Sequence, residues 1–324
     1  MPRSEKKRDT RHTDAERGLL ETLLSPLLDA IAPAIERERD TEPFQRDPQT
    51  VRAIRPLIKA IDCYFDAELR GWDNLPPDGP FLLVANHSGG AVPVDLWPFF
   101  DRWVEEHGSE APLYVLTYDL DFTYPVIGPR LRRLGMVPAS RDNAQRAFDM
   151  GAPVVVFPGG DYEVFRPWRE RNRINFGGRT GFVTLALTCG VPVVPMTIHG
   201  AHESTFVLTR GRRLARWSGL NRIHIKVFPF IWSIPLGLVP AFVPSVQLPA
   251  KITAQIGEPI DWSDCGPEAA NDPEVVAKCY EQVAGTMQST LDALTAEDPY
   301  PILTRLGQLR PDRVVSRALS RLWE

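Results

Sequence analysis

PFLLVANHSGGAVPVDLWPFFDRWVEEH, residues 80–107, is the stretch on which the reading of the fold turns. A run of apolar residues, PFLLVAN, has the length and composition of a buried strand, and VDLWPFFDRWVEEH those of a helix. Between them lies a loop with the glycine pair Gly89 and Gly90. A strand that runs through a short loop into a helix is the opening half of a crossover unit. Downstream the pattern repeats: APLYVLTYD (111–119) reads as a strand, YPVIGPRLRRLG (124–135) as a helical connection and MVPAS (136–140) as a strand. DNAQRAFDMG (142–151) reads as a helix, APVVVFPGG (152–160) as a very apolar strand, RTGFVTLALTCG (179–190) as a helix and VPVVPMTIHG (191–200) as a strand. Alternation of this kind implies a largely parallel sheet covered by helices. In such sheets function gathers in the loops beyond the carboxyl ends of the strands, where NHS, ASR and PGG all fall.

Upstream, residues 16–38 place Leu19, Leu20, Leu23, Leu24, Leu27, Leu28 and Ile31 at helical spacing, with a bend expected at Pro26. A second helix is expected after Asp47-Pro48, with Val51, Ile54, Leu57, Ile58, Ile61 and Tyr64 forming its apolar stripe, and a turn from Asp73 to Gly79. Downstream, KITAQIGEPIDW (251–262) reads as a late strand and turn, and residues 273–295 as a helix. The expected organisation is an N-terminal helical region (1–70), an α/β core (71–262) and a C-terminal helical region (263–324). Arg305, Arg310, Arg313, Arg317 and Arg321 give the last region the character of either a basic lipid-attracted tail or a solvated face.

Bulk properties exclude several classes. Of the 324 residues 43% are hydrophobic and 24% charged, which fits a globular chain with a sizeable core and excludes wholesale disorder or a polytopic membrane protein. A formal net charge of −4 and the lack of a recognisable binding motif argue against nucleic acid as a partner. Cys63, Cys189, Cys265 and Cys279 lie far apart, so neither a zinc site nor a disulfide framework is indicated. MPRSEKKRDTRH lacks the apolar core and cleavage site of a secretory signal, and a cytoplasmic location is expected. Residues 227–246 are almost wholly apolar but contain Pro229, Pro235, Pro240 and Pro244, so the expectation is a buried wall or a membrane-dipping segment rather than a spanning helix.

His87 and Asp95 flank the glycine loop, and a loop able to fold back brings the carboxylate to the imidazole. Such a pair has a chemical use. A neutral imidazole takes the proton of an alcohol as it attacks a thioester carbonyl, while the carboxylate fixes the tautomer and stabilises the imidazolium. A strand-end histidine with a purely structural partner is the bland alternative. His199, His202 and Glu203 suggest a metal by their spacing but lack a convincing third ligand, so no metal is expected and a polar pocket lining is preferred.

These residues carry a resemblance. The sequence resembles the PlsC-like lysophospholipid acyltransferase superfamily, whose hallmark is Asn-His followed by four residues and Asp. Asn86 and His87 match it, whereas Asp95 follows His87 after seven intervening residues. The longer AVPVDLWPFF segment is similar to the monoacylglycerol- and diacylglycerol-acyltransferase-like branch. GMVPASR matches a second block at Gly135 and Arg141, and FPGGDYE a third, with Pro158, Gly159, Gly160 and Glu163. Gly159 stands where the phosphate-acceptor branch has Glu. GVPVVPMTIHG and IGEPI (256–260) are similar to later family strands.

The resemblance implies a PlsC-like fold with a mixed, mainly parallel sheet, preceded by helices and followed by a helical tail. It implies O-acylation of a glycerolipid hydroxyl, an acylglycerol or a lysophospholipid, at a membrane surface, with acyl-CoA as donor substrate and no cofactor. His87 and Asp95 are then catalytic. Asn86, Gly135, Arg141, Pro158, Gly159, Gly160 and Glu163 are expected to bind substrate, Arg141 through phosphate and the PGG turn through its backbone amides. Apart from the resemblance, a basic cluster of Arg166, Arg169, Arg171, Arg173 and Arg179, continued by Arg210, Arg212, Arg213 and Arg216 beside the proline-interrupted apolar run, is either a place for coenzyme A phosphates or anionic headgroups or a set of scattered solvent-exposed charges. Alternatives are a non-catalytic lipid-binding protein of this fold, an acyltransferase for a lineage-specific glycolipid, and a thioesterase; no G-x-S-x-G supports a serine hydrolase. The oligomeric state is not legible.

Overall fold

Three parallel strands with no exposed residue among them, β2 (Leu82–Ala85), β5 (Val154–Val156) and β6 (Val193–His199), form the centre of the molecule, where only the last residue of β5 is even partly exposed. The structure, a computed structural model, describes residues 33–34, 36–38, 40–88, 94–218, 227–233, 236–241 and 247–309. Most of the helix expected at residues 16–38, the glycines 89 and 90, and the arginines from 310 onward lie outside the described residues.

The chain enters through α1 (Pro48–Phe65), capped by Asp47, whose carboxylate accepts the N–H groups of Gln49 and Thr50. Pro48 at the first helical position lacks the N–H that would otherwise need a partner. There follow β1 (Glu68–Arg70), β2, α2 (Trp97–His107), β3 (Tyr114–Thr117), α3 (Ile127–Leu134), β4 (Met136–Pro138), α4 (Arg141–Asp149), β5, the short α5 (Gly160–Val164), α6 (Gly181–Cys189) and β6. Then come β7 (Phe206–Thr209), α7 (Arg212–Trp217), β8 (Phe230–Ser233), β9 (Gly237–Pro240), β10 (Thr253–Ile256), α8 (Pro273–Glu297) and α9 (Pro301–Gln308).

Seven strands make one sheet in the order β1-β10-β6-β2-β5-β3-β4. β4, β3, β5, β2 and β6 run parallel, and β10 is antiparallel to β6. The expected mixed, mainly parallel sheet covered by helices is what forms. Alternation along the strands sorts the core into two layers. Leu83, Ala85, Val155 and Met196 pack with Phe99, Phe100 and Trp103 of α2 on one face. Leu82, Val84, Val154 and Val193 pack with Phe182 of α6 and Val283 and Met287 of α8 on the other. Each fully buried aliphatic side chain of this kind contributes about 1.5–3 kcal/mol.

The described part of residues 227–246 folds as the antiparallel pair β8–β9 beside β7, with Ile231 and Ala241 buried and Trp232 and Leu238 exposed. Prolines at 229 and 240 sit at or next to strand ends, where a missing donor is tolerated. Arg305, expected on a solvated or lipid-facing tail, is buried, and its guanidinium donates to the carbonyls of Cys63 and Tyr64. Among the described residues no helix is long and apolar enough to cross a membrane.

Candidate active site

Because β2, β5, β3, β4 and β6 are parallel, their carboxyl ends open onto one edge of the sheet, and the chain returns to that edge five times. β2 delivers Asn86, His87 and Ser88; β5 delivers Phe157, Pro158 and Gly159; β3 leads into a 3-10 turn, Asp119–Thr123.

The loop after β2 does fold back. Asp95 Oδ2 lies 2.8 Å from His87 Nδ1 and accepts the backbone N–H of Ser88 at 2.6 Å. Asp95 is fully buried, while the His87 side chain keeps 21% of its surface exposed. With Nδ1 held by the carboxylate, Nε2 is the ring nitrogen left to exchange a proton. The seven-residue interval therefore closes the same kind of pair that a four-residue interval implies. Phe157 packs against the imidazole with ring centroids 4.6 Å apart. Burial opposes protonation of His87, but Asp95, assisted by Glu163 and Asp121, outweighs it and raises the imidazole's pKa above its ordinary value.

Glu163 sits directly beneath. Its Oε2 accepts the His87 backbone N–H at 2.9 Å and its Oε1 the N–H of Asn175 at 3.3 Å. Arg166, itself buried, donates to the His87 carbonyl at 2.9 Å and lies 3.6 Å from Glu163 Oε1. Both peptide groups flanking the His87 Cα are thus gripped by one buried ion pair. Burial pushes the Glu163 carboxyl up, against the pull of Arg166 and the two backbone donors. Gly159 is required by this packing: a Cβ there would stand 2.4 Å from the Glu163 Cβ and 2.5 Å from its Oε2. The exchange of Glu for Gly at 159 and the Glu at 163 are one structural fact.

The other expected site residues divide. Asn86, expected to bind substrate, is fully buried, and both ends of its amide bond Ile198, donating to the carbonyl at 2.9 Å and accepting the N–H at 2.7 Å. It clamps β2 to β6 at the buried end of the strand. Pro158 is buried in the turn. The Gly160 N–H, expected to face a phosphate or oxyanion, donates to Phe157 O at 3.0 Å, and Arg179 covers the outer side of the turn through Gly159 O at 2.8 Å. Gly135 caps α3 at φ +96°, and a Cβ would meet Leu113 O at 2.4 Å, so its role is in the backbone. Arg141 opens α4 behind the Ser140 cap; it is exposed, and its guanidinium has no partner among the described residues. It stands at the end of β4, three strands from β2, which sets it roughly 14 Å away at the usual spacing.

The basic cluster is largely committed inside the protein. Arg171 pairs with Glu203 at 3.1 Å, Arg179 with Asp161 at 2.6 Å and Arg210 with Glu170 at 2.8 Å. His199 and His202 are both buried, with Nε2 bonded to the carbonyls of Asp298 and Arg166 respectively. Burial and the nearby Arg166 hold His202 well below the ordinary imidazole pKa, so it stays neutral. Among the described residues no cluster of three metal-ligating side chains occurs. Asp121, which the sequence reading missed, is pushed up to about 6 by burial, against the attraction of His87. Its only sequence signal was its place just after the strand APLYVLTYD.

A family model described as Acyltransferase matches residues 66–199, which contain His87, Asp95, Gly159 and Glu163. The chain is 34% identical over 290 residues to the uncharacterized protein Rv0502 of Mycobacterium tuberculosis, covering 89% of this chain and 78% of that protein. The chain belongs to the PlsC-like acyltransferase superfamily. This acyltransferase is also 25% identical over 226 residues to the human DGAT1/2-independent enzyme synthesizing storage lipids, covering 69% of the chain and 60% of that protein. The crystal structure of the 1-acyl-sn-glycerophosphate (LPA) acyltransferase PlsC from Thermotoga maritima aligns at 18% identity and a TM-score of 0.44, over 86% of this chain and 98% of that one.

Proposed function

We propose that this acyltransferase moves a fatty acyl group from acyl-CoA to the hydroxyl of a glycerolipid, with His87 as general base. The observation that carries the reading is the 2.8 Å contact between His87 Nδ1 and a fully buried Asp95, at the mouth of the sheet. Asp95 holds the tautomer in which Nε2 carries the lone pair. The acceptor hydroxyl gives its proton to Nε2 as its oxygen bonds the thioester carbonyl carbon. The tetrahedral adduct then breaks its C–S bond, and the imidazolium returns the proton to the departing thiolate. No covalent enzyme intermediate is formed.

The named lipid enzyme among the relatives supports a neutral acylglycerol acceptor, as does Gly159. The unpartnered Arg141 is where a phosphate of donor or acceptor is proposed to bind. The test is acyl transfer from radiolabelled acyl-CoA to a panel of acylglycerols and lysophospholipids. His87→Ala is expected to lower transfer by about 10²–10⁴-fold. Undiminished transfer by that variant removes His87 from the mechanism.

A further inference from the structure

The sheet β7-β8-β9 presents a row of bare apolar side chains. Phe206 pairs with Trp232 and Trp232 with Leu238, so the three stand side by side across the strands on one face. Trp232 is 57% exposed, Leu238 56% and Leu236, in the turn between β8 and β9, 55%. The opposite face is ordinary core: Val207, Ile231 and Ala241 pack on Phe165 and Val239. Within the row Phe206 also packs against the Trp168 ring, with centroids 5.0 Å apart, while Trp232 and Leu238 keep more than half of their surface exposed.

Charge around the row is one-sided. From Ser204 to Gly257 the sequence contains no Asp or Glu, against seven Lys and Arg, in a chain of net charge −4. Arg212 and Arg213, at the start of α7 just beyond β7, are exposed. An exposed tryptophan and leucine together with the exposed Arg212 and Arg213 match an anionic bilayer, whose headgroup layer takes the aromatic ring and attracts the arginines. A second copy fits poorly, because two-fold pairing through this face would set two acid-free cationic segments against each other. The row is also joined to the candidate site. Arg210, next to β7, donates to Tyr162 O at 3.0 Å and pairs with Glu170, and Phe165 lies two residues from Glu163.

We propose that the outer face of β7-β8-β9 is the surface by which this enzyme docks on anionic lipid, with Trp232 and Leu238 inserted and Arg212 and Arg213 among the headgroups. It deepens the lipid-acyltransferase reading and rests on it for its purpose, yet it is read out without turnover.

The test is flotation of the full chain with vesicles of phosphatidylcholine alone or mixed with phosphatidylglycerol. The wild type is expected to float with the mixed vesicles and much less with the neutral ones. Trp232→Ser with Leu238→Ser is expected to reduce flotation about tenfold or more, with unchanged far-UV circular dichroism. Should that variant unfold, Leu236→Asp in the turn asks the same question. Arg212→Gln with Arg213→Gln is expected to weaken binding at low salt only. Flotation of the apolar variants equal to the wild type overturns the proposal. So does their conversion of a sedimenting dimer to monomer with lipid binding unchanged, which assigns the face to self-association. His87→Ala is expected to float normally; if it also transfers acyl groups normally, the catalytic reading fails and the docking surface stands.

Discussion

The carboxylate of Glu163 accepts the backbone N–H of His87, so the turn after one strand holds the backbone of the residue after its neighbour. Arg166 completes the grip from the carbonyl side. Removing one member of a buried ion pair leaves the other charge without compensation, at a cost of about 3–5 kcal/mol. Glu163→Ala is accordingly expected to lower the unfolding free energy, read by urea titration, by an amount in that range. Glu163→Gln keeps an oxygen for the His87 N–H and loses less. Equal, near-zero losses for both would show that the pair does not hold the loop.

Asp95 makes the His87 pKa higher than it would otherwise be, since burial alone pulls it down. In the mechanism only the neutral imidazole accepts a proton. Asp95→Asn is expected to shift the acid limb of the kcat/KM–pH profile to lower pH while lowering its plateau, read from acyl transfer across pH. A raised imidazole pKa adds stability below the unfolded value of about 6.5, and that stability is lost as pH rises through the folded pKa. The wild type should therefore lose part of its advantage over Asp95→Asn on passing upward through that window, measured as Tm.

Asp121 is held at about 6, well above its ordinary 3.8, chiefly by burial. A carboxyl whose folded pKa is raised binds more protons folded than unfolded, so its contribution falls as pH climbs from about 4 through 6. Asp121→Asn is expected to match the wild type below pH ~4 and to be more stable above pH ~6, by on the order of 2 kcal/mol. A Tm difference independent of pH would contradict the burial assigned to this group.

Gly159 has an ordinary helical φ of −66°, so alanine there meets no backbone strain and any effect is steric. Its Cβ would collide with Glu163, and relieving the clash displaces the carboxylate from the His87 N–H. Gly159→Ala is expected to cost about 1–3 kcal/mol and to lower kcat while leaving KM little changed. An unchanged kcat would mean that the turn tolerates a methyl and that His87 is positioned by Asp95 alone.

The sheet was legible where burial leaves a local signature. Runs such as Leu82–Ala85 and Val154–Val156 are apolar on both faces because helices cover both, and Asp47-Pro48 announces α1 through a cap that involves only its own neighbours. The antiparallel pairing of β10 with β6 was not legible, since nothing near Thr253 says which distant strand it joins. The apolar stretch before it concealed a hairpin, because its outward face carries Trp232 and Leu238 where polar residues would have revealed the alternation. His87 and Asp95 were readable as a pair because a short loop links them. Most charges were misread for one reason: partners such as Arg171 and Glu203 are 32 residues apart, so composition shows an arginine but not its carboxylate.

Gly159 and Glu163 share a single volume that admits one acidic side chain and no more. To carry an acid at 159 this chain would have to give up the one at 163. Passage between the two layouts takes a paired exchange. In this chain either change made alone leaves the histidine loop overcrowded or stripped of its anchor, so the two positions act as one unit of sequence.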